Sequence, residues 1–363
     1  MSELLRHAIR TFIDWIFRRR SPALQVMRIG LSCLTIALSV SWALDISIPL
    51  QGGRLAFNVN TGEGTPGLVI AGVALLGGLL ILVGLIWEIV RYRAEQRRLS
   101  RKKVIVIEAR GLRDGVGKAL ADAVPDNVEG HRDPVIIDLR QGVIDGHIVS
   151  PQAAVDKLVS LPVDLARREA GLDRSDLQRI YGGLAPVPLT FLTGVRIDDE
   201  ASTIIFDWDR HQQQWRPLDT PDDQKRFAID GIDKIAAGAE EVALLVSVSY
   251  QVDAVGVGKK LDGIAQISLS LDGGLPDSHW SEDKQRALGQ QFLETAIRLG
   301  NLGIRRIHLF LAAQNSIVFR FGCLYDKRNL PELIVYQYQR EANPPYPWGV
   351  LMPVAGRLKP EII

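Results

Sequence analysis

The stretch "IHLFLAAQNSIVFRFG", residues 307–322, decides how the rest of the chain is read. Ile307, Leu309, Phe310 and Leu311 make an apolar run of strand length, Ala312 and Ala313 follow, and the polar triplet Gln314, Asn315 and Ser316 precedes apolar residues at a new spacing. Short continuous apolar runs read as buried strands, and recurrence at every third and fourth position reads as a helix. The triplet therefore marks a strand-to-helix junction. In an open parallel sheet such a junction lies at the carboxyl edge, where unpaired N–H groups of a helix start meet ligands. Asn315 or Ser316 would also cap that helix, a role worth about 1 kcal/mol and compatible with ligand binding.

Working outward, the same alternation recurs. "VIVIEA" (104–109) predicts a strand, followed by a helical pattern through Val116, Leu120 and Val124; "PVIIDL" (134–139) predicts another, and Pro151 opens a helix carrying Ala154, Leu158 and Leu161. Farther on come a strand in "EVALLVSVSY" (241–250), a helix from Ser281 to about Leu299, and an alternating strand in "ELIVYQYQ" (332–339). Between them, "PLTFLTGVRIDDEASTIIFDWD" (188–209) predicts two strands joined by an acidic turn, "QQQWRPL" a third, and Arg226 to Ala237 a helix. The pattern predicts an α/β fold with a mostly parallel sheet. Two strand–helix–strand blocks, near 104–160 and 241–338, predict two linked nucleotide-fold halves. Ser247, Ser249, Tyr250 and Gln251 fall at or beyond a strand end and join Gln314, Asn315 and Ser316 as candidate ligand contacts.

The first hundred residues differ in kind. Pro22 to Leu44 is apolar apart from Gln25, Arg28 and small hydroxyls, and Gly67 to Ile86 has no polar side chain. About 20 helical residues cross a hydrocarbon core of about 30 Å, so a hairpin over 22–90 is predicted, with helices at about 23–44 and 67–89. Five arginines precede it, Arg6, Arg10, Arg18, Arg19 and Arg20, and a basic linker over 91–103 follows; the loop 45–66 has only Arg54. The bias of basic residues toward the cytoplasm places the basic segment 1–21 and both termini inside and the loop outside. A membrane hairpin with a large cytosolic domain over 104–363 is the expected layout.

The overall charge of +1 hides an asymmetry, because residues 104–363 hold 29 basic against 36 acidic residues. An acidic domain argues against tracking DNA or RNA by phosphate neutralisation. Cys33 and Cys323 suggest no disulfide framework, and the six histidines show no paired metal-ligand spacing. In "GLRDGVGKAL" (111–120), Leu112 stands where a phosphate-binding loop needs its first glycine and Ala119 replaces the magnesium-binding hydroxyl. "VGVGKKLDG" (255–263) has Leu261 in place of a third glycine and reads as a mobile loop presenting Lys259 and Lys260. No catalytic signature is found, so no enzymatic activity and no cofactor are expected.

The run "RRIHLFLAAQNSIVFRFGCLYDKRNLPELIVYQYQ" (305–339) followed by "YPWGVLMP" (346–353) resembles the SAVED domain, with likeness extending over roughly 180–355. With two membrane helices in front, the chain resembles a transmembrane SAVED effector of bacterial CBASS anti-phage defence. The resemblance implies two fused CARF-like, Rossmann-type halves that bind a cyclic di- or trinucleotide made by a partner CD-NTase. It further implies ligand-driven self-association and disruption of membrane lipid, causing abortive infection. One departure is the turn Gln314-Asn315, where many relatives have a proline after the alanines. A cyclic nucleotide also needs cations, for which Lys259 and Arg320 are candidates, and aromatic faces, for which Tyr250 and Tyr336 are. The alternatives left open are a membrane-anchored nucleotide-processing enzyme and a membrane scaffold recruiting a protein partner.

Overall fold

The apolar stretches after Pro22 and Gly67 are helical in the computed structural model, which describes residues 22–40, 44–50, 53–59, 67–111, 118–140, 143–144, 147–148, 151–198, 203–271, 277–326 and 328–363. The basic segment 1–21, the glycine-rich turn at 112–117 and the acidic turn beyond Asp198 lie outside the described residues. The chain divides into two compact units, Met1–Leu99 and Ser100–Ile363.

The first unit contains α1 (Pro22–Val40), the antiparallel pair β1 (Leu44–Leu50) and β2 (Gly53–Val59), and α2 (Gly67–Arg101). Within α2 the stretch Val69–Gln96 has 28 residues and holds an 18-residue window with a mean hydropathy of 2.8, long enough to cross a bilayer. The stretch Pro22–Leu38 in α1 is shorter. Two expectations are corrected: Leu44 opens β1 instead of ending the first helix, and the segment read as external loop carries a strand pair. The basic stretch after residue 90 continues α2 without a break to Arg101. Small residues let α1 and α2 touch: a Cβ on Gly30 would sit 2.7 Å from the Gly77 carbonyl oxygen, and one on Gly84 2.9 Å from that of Ala23. Leu31, Leu75, Leu79, Leu82 and Ile86 face outward, as lipid-facing side chains do.

The second unit begins with β3 (Lys103–Arg110), α3 (Leu120–Ala123), β4 (His131–Asp138), the short pair β5 (Val143–Ile144) and β6 (His147–Ile148), and α4 (Gln152–Glu169). Next come β7 (Leu177–Leu184), α5 (Val187–Ile197), β8 (Thr203–Asp209) and β9 (Gln214–Pro217). After β10 (Phe227–Asp230) the pattern repeats as β11 (Glu241–Ser247), α6 (Ala254–Lys260), β12 (Gln266–Leu271), α7 (Glu282–Asn301), β13 (Arg306–Ala312), α8 (Asn315–Leu324), β14 (Glu332–Gln337) and β15 (Trp348–Leu351). β16 (Glu361–Ile362) closes the chain.

The strand orders are β4-β3-β7-β8-β9 and β10-β12-β11-β13-β14-β15-β16. Counted within each repeat, the shared strands of both sheets run second, first, third, fourth, fifth. Four are parallel and the fifth is antiparallel. Each sheet therefore has a topological switch point between its first and third strands, at β3/β7 and at β11/β13, where open α/β sheets leave a crevice.

Three expectations are overturned here. "PLTFLTGVRI" is helix α5, with Leu189, Phe191 and Leu192 fully buried; a helix covered on all sides loses its polar stripe and reads like a strand. Arg226 to Ala237 is not a helix but β10 and a 3₁₀ turn, separated by Gly231 at φ +93°, a backbone angle that ends regular structure. "VGVGKK" lies in helix α6, not a loop, and is capped by Asp253, whose carboxylate accepts the Gly256 N–H at 2.9 Å. Of the helical pattern expected through Val124, α3 is the described part; Val124 is extended ahead of Pro125, as the residue before a proline tends to be.

One continuous core takes side chains from β3, β7, β11 and β13 and from α4, α5, α7 and α8. The two halves meet where α5 crosses α8. A Cβ on Gly194 would run into the Phe319 carbonyl, and one on Gly322 into that of Phe191.

Candidate functional site: the paired strand edges

The α5–α8 crossing brings the carboxyl ends of the two sheets together in a crosswise pattern, the second half accepting two backbone N–H groups of the first and the first half accepting one of the second. The Ala185 N–H, after β7, donates to Asn315 Oδ1 at the start of α8 (3.3 Å), and the same oxygen accepts the Thr190 hydroxyl of α5 (2.8 Å). The Val187 N–H opening α5 donates to Gln337 Oε1 at the end of β14 (3.1 Å). Buried donors of this kind need acceptors, and here they come from 125 to 150 residues away in sequence.

The start of α8 is occupied further. Asp207, on β8 and buried, accepts the Ser316 N–H at 3.1 Å and lies 3.4 Å from His279 Nε2. The Ser316 hydroxyl accepts from Gln285 Nε2 at 2.9 Å. An internal carboxylate thus fills the positive end of α8, the place where a bound anion would otherwise sit.

The sequence-predicted residues fall into four groups. Ser247, Ser249, Tyr250, Gln251, Gln314, Asn315 and Ser316 gather at the ends of β11 and β13, which are tied by Val248 and Ser249 N–H groups donating to the Ala312 carbonyl (3.0 and 3.2 Å). Among them Ser247 is buried and its hydroxyl accepts the Val252 N–H at 3.0 Å, whereas Tyr250 is 59 % exposed. Lys259 is exposed on α6, with Lys260 beside it 5.7 Å above the Tyr336 ring. Arg320 points away from the strand ends, toward Glu282 and Gln285 of α7. Tyr336 is buried in the second sheet, its ring stacked on Phe310 at 4.7 Å and its hydroxyl 2.9 Å from His308 Nδ1.

His308 Nε2 is 3.0 Å from Glu241. A carboxylate only accepts, so Nε2 carries the proton and Nδ1 accepts from the Tyr336 hydroxyl. Burial lowers the His308 pKa and pushes that of Tyr336 up to about 12; the hydrogen bond from His308 lowers that of Glu241. The chain Glu241–His308–Tyr336 is thereby fixed with a neutral imidazole. Among the described residues no group of three or more His, Cys, Asp or Glu is placed to hold a metal ion.

Comparison with known proteins places this architecture. Residues 163–352 match the family described as SMODS-associated and fused to various effectors sensor domain, SAVED. The chain belongs to the SAVED family. Residues 2–155 match the SAVED-fused 2TM effector domain, so the match runs from the membrane-associating helices into the first sheet. No curated protein is similar enough to count as a relative. Among solved structures, an Acinetobacter baumannii Cap4 SAVED/CARF-domain containing receptor with the cyclic trinucleotide 2'3'3'-cAAA is 9 % identical, with 77 % of this chain and 58 % of that chain covered and a TM-score of 0.46. The Moraxella osloensis Cap4 receptor is 10 % identical, with 79 % and 57 % covered and a TM-score of 0.41. This chain thus spans less than two thirds of the length of either.

The SAVED halves share more than topology. Ala185, Phe191 and Gly194 stand to Ala313, Phe319 and Gly322 at one constant separation, so "APVPLTFLTG" (185–194) is the counterpart of "AQNSIVFRFG" (313–322). The proline missing after Ala313 is present after Ala185, as Pro186. That self-similarity is the signal that locates Val187 and Thr190, which reading the second half alone leaves out. The SAVED edge also exposes Tyr338, 46 % accessible and set edge-on to Tyr346 at 5.5 Å. On the first half the strand ends carry Arg110, bonded to Glu108 at 2.6 Å, and Arg140, which grips Asp138 and holds that carboxyl well below the usual range.

Proposed function

We propose that this chain is a ligand-gated effector of anti-phage defence, without catalysis of its own, that binds a cyclic di- or trinucleotide across the paired strand edges. The observation carrying this reading is the convergence of two equal switch points at one crosswise hydrogen-bonded junction: a ring-shaped ligand with repeating nucleotides suits two repeated half-sites. Tyr250 and Tyr338 offer faces to bases, the amides of Gln251 and Gln314 offer both donors and acceptors, and Arg110 and Arg140 offer charge to phosphates. The family's sensor and two-helix effector descriptions support the same pairing of tasks.

In this reading a CD-NTase supplies the ligand, the liganded chains self-associate, and the clustered α1–α2 hairpins disrupt the inner membrane, both termini being cytosolic. Ligand can drive this only by binding the assembled state more tightly than the separate one. The test is native mass spectrometry of the full chain in detergent with a panel of cyclic di- and trinucleotides. At least one should bind, remain chemically unchanged and raise the number of associated chains; a panel with no binder would end this reading, and a new product would convert it to an enzyme.

A further inference from the structure

The strand pair β1–β2 carries a pattern for which ligand sensing has no use. Leu44, Ile46, Ile48 and Leu50 alternate with Asp45, Ser47 and Pro49 along β1, and Leu55, Phe57 and Val59 alternate with Arg54, Ala56 and Asn58 along β2. The register sets Leu44 opposite Val59, Ile46 opposite Phe57 and Ile48 opposite Leu55, whereas Asp45 stands opposite Asn58 and Pro49 opposite Arg54. Opposite positions share a face and successive positions alternate between faces. One face of the pair therefore holds the large apolar positions of both strands, and the other holds both charged ones. A slip of one residue would set Ile46 opposite Asn58 and destroy that segregation.

Two strands alone are marginal in water, and among the described residues β1 and β2 pair only with each other. Size and tether decide what covers the apolar face. Seven residues at about 3.4 Å each, over two strands about 4.8 Å apart, give a face of about 230 Å². That is far below the roughly 800 Å² per partner of a standard protein interface, so a second copy of the hairpin would be held too weakly. Only residues 41–43 separate α1 from β1, which at about 3.5 Å per step keeps Leu44 within about 14 Å of Val40. Trp42, in that link, is of a type enriched at membrane–water boundaries. We propose that the β1–β2 hairpin lies on the outer leaflet, its apolar face seated in phospholipid and its polar face toward water. The proposal rests on the reading that α1 and α2 cross the bilayer, and is independent of cyclic-nucleotide binding.

The test uses the full chain with its two cysteines removed, Cys33→Ser and Cys323→Ser, and one new cysteine at a time: Ile46→Cys, Ser47→Cys, Ala56→Cys or Phe57→Cys. Each is labelled with an environment-sensitive fluorophore and reconstituted into vesicles of phosphatidylcholine and phosphatidylglycerol. Brominated acyl chains should quench the label several-fold more at positions 46 and 57 than at 47 and 56, and iodide on both sides of the vesicle should give the reverse order. Quenching without this alternation would overturn the proposal. So would labels at 46 and 57 that are shielded from both quenchers, the result for a face covered by protein. Alkaline extraction of the same vesicles reports separately on the membrane crossing: protein that is retained without alternation defeats the hairpin proposal alone, whereas protein that is extracted defeats the crossing and the proposal with it.

Discussion

Asn315 shows how much one side chain can be asked to do. Its oxygen serves a backbone donor and a hydroxyl from the other half at once, so Asn315→Ala strands two polar groups in a half-buried place. A loss of about 1 to 3 kcal/mol in chemical denaturation is expected, larger than for Gln314→Ala, whose effect should fall on ligand-driven assembly instead. Tyr336 makes a prediction about pH. Its hydroxyl titrates at about 12 in the folded chain against about 10 when unfolded, so the unfolded state loses its proton first. Stability from this group is complete below pH 10 and falls as pH rises toward 12; Tyr336→Phe should make that part of the fall disappear from thermal melts. Sequence alone identified Gln314, Asn315 and Ser316 as a junction, because a strand pattern stops and a helix pattern starts there. It did not reveal that Asn315 and Ser316 are spent on Thr190 and Asp207, since those partners lie in segments whose fold had to be known first.

The elements follow the same logic. β3, β11 and β13 were legible because parallel strands buried on both faces leave continuous apolar runs. α5 was not, because burial on every side erased the polar stripe that distinguishes a helix, and β10 was hidden because it has only 4 residues, with Phe227 alone buried. The α5–α8 crossing depends on Gly194 and Gly322, where an added methyl meets backbone and no flexible side chain can yield. Gly322→Ala should therefore destabilise by about 1 to 3 kcal/mol or more, whereas Gly303→Ala, in open space but at φ +92°, loses only its backbone freedom. In the membrane unit, Gly77→Leu would push α1 off α2, because a side chain there meets the Gly30 carbonyl and Leu34; a lower melting temperature of the full chain in detergent checks it.

At the scale of the whole molecule, the two α/β halves share a single core, so they should lose structure together. Hydrogen exchange at β3 and at β13 is expected to report one common opening free energy, and separate values would mean that the halves fold independently. The doubling was visible in sequence only as two strand–helix–strand blocks; the matching strand order and the crosswise bonds appear only when Gly194 and Gly322 are seen in contact. The proposed gating joins this sensor to the hairpin through ligand, and dye release from vesicles carrying the full chain tests it most directly. Release should begin on adding a cyclic di- or trinucleotide that binds, and should be absent without it. Equal leakage with and without ligand, or intact vesicles in the presence of a bound ligand, would contradict a ligand-gated membrane effector.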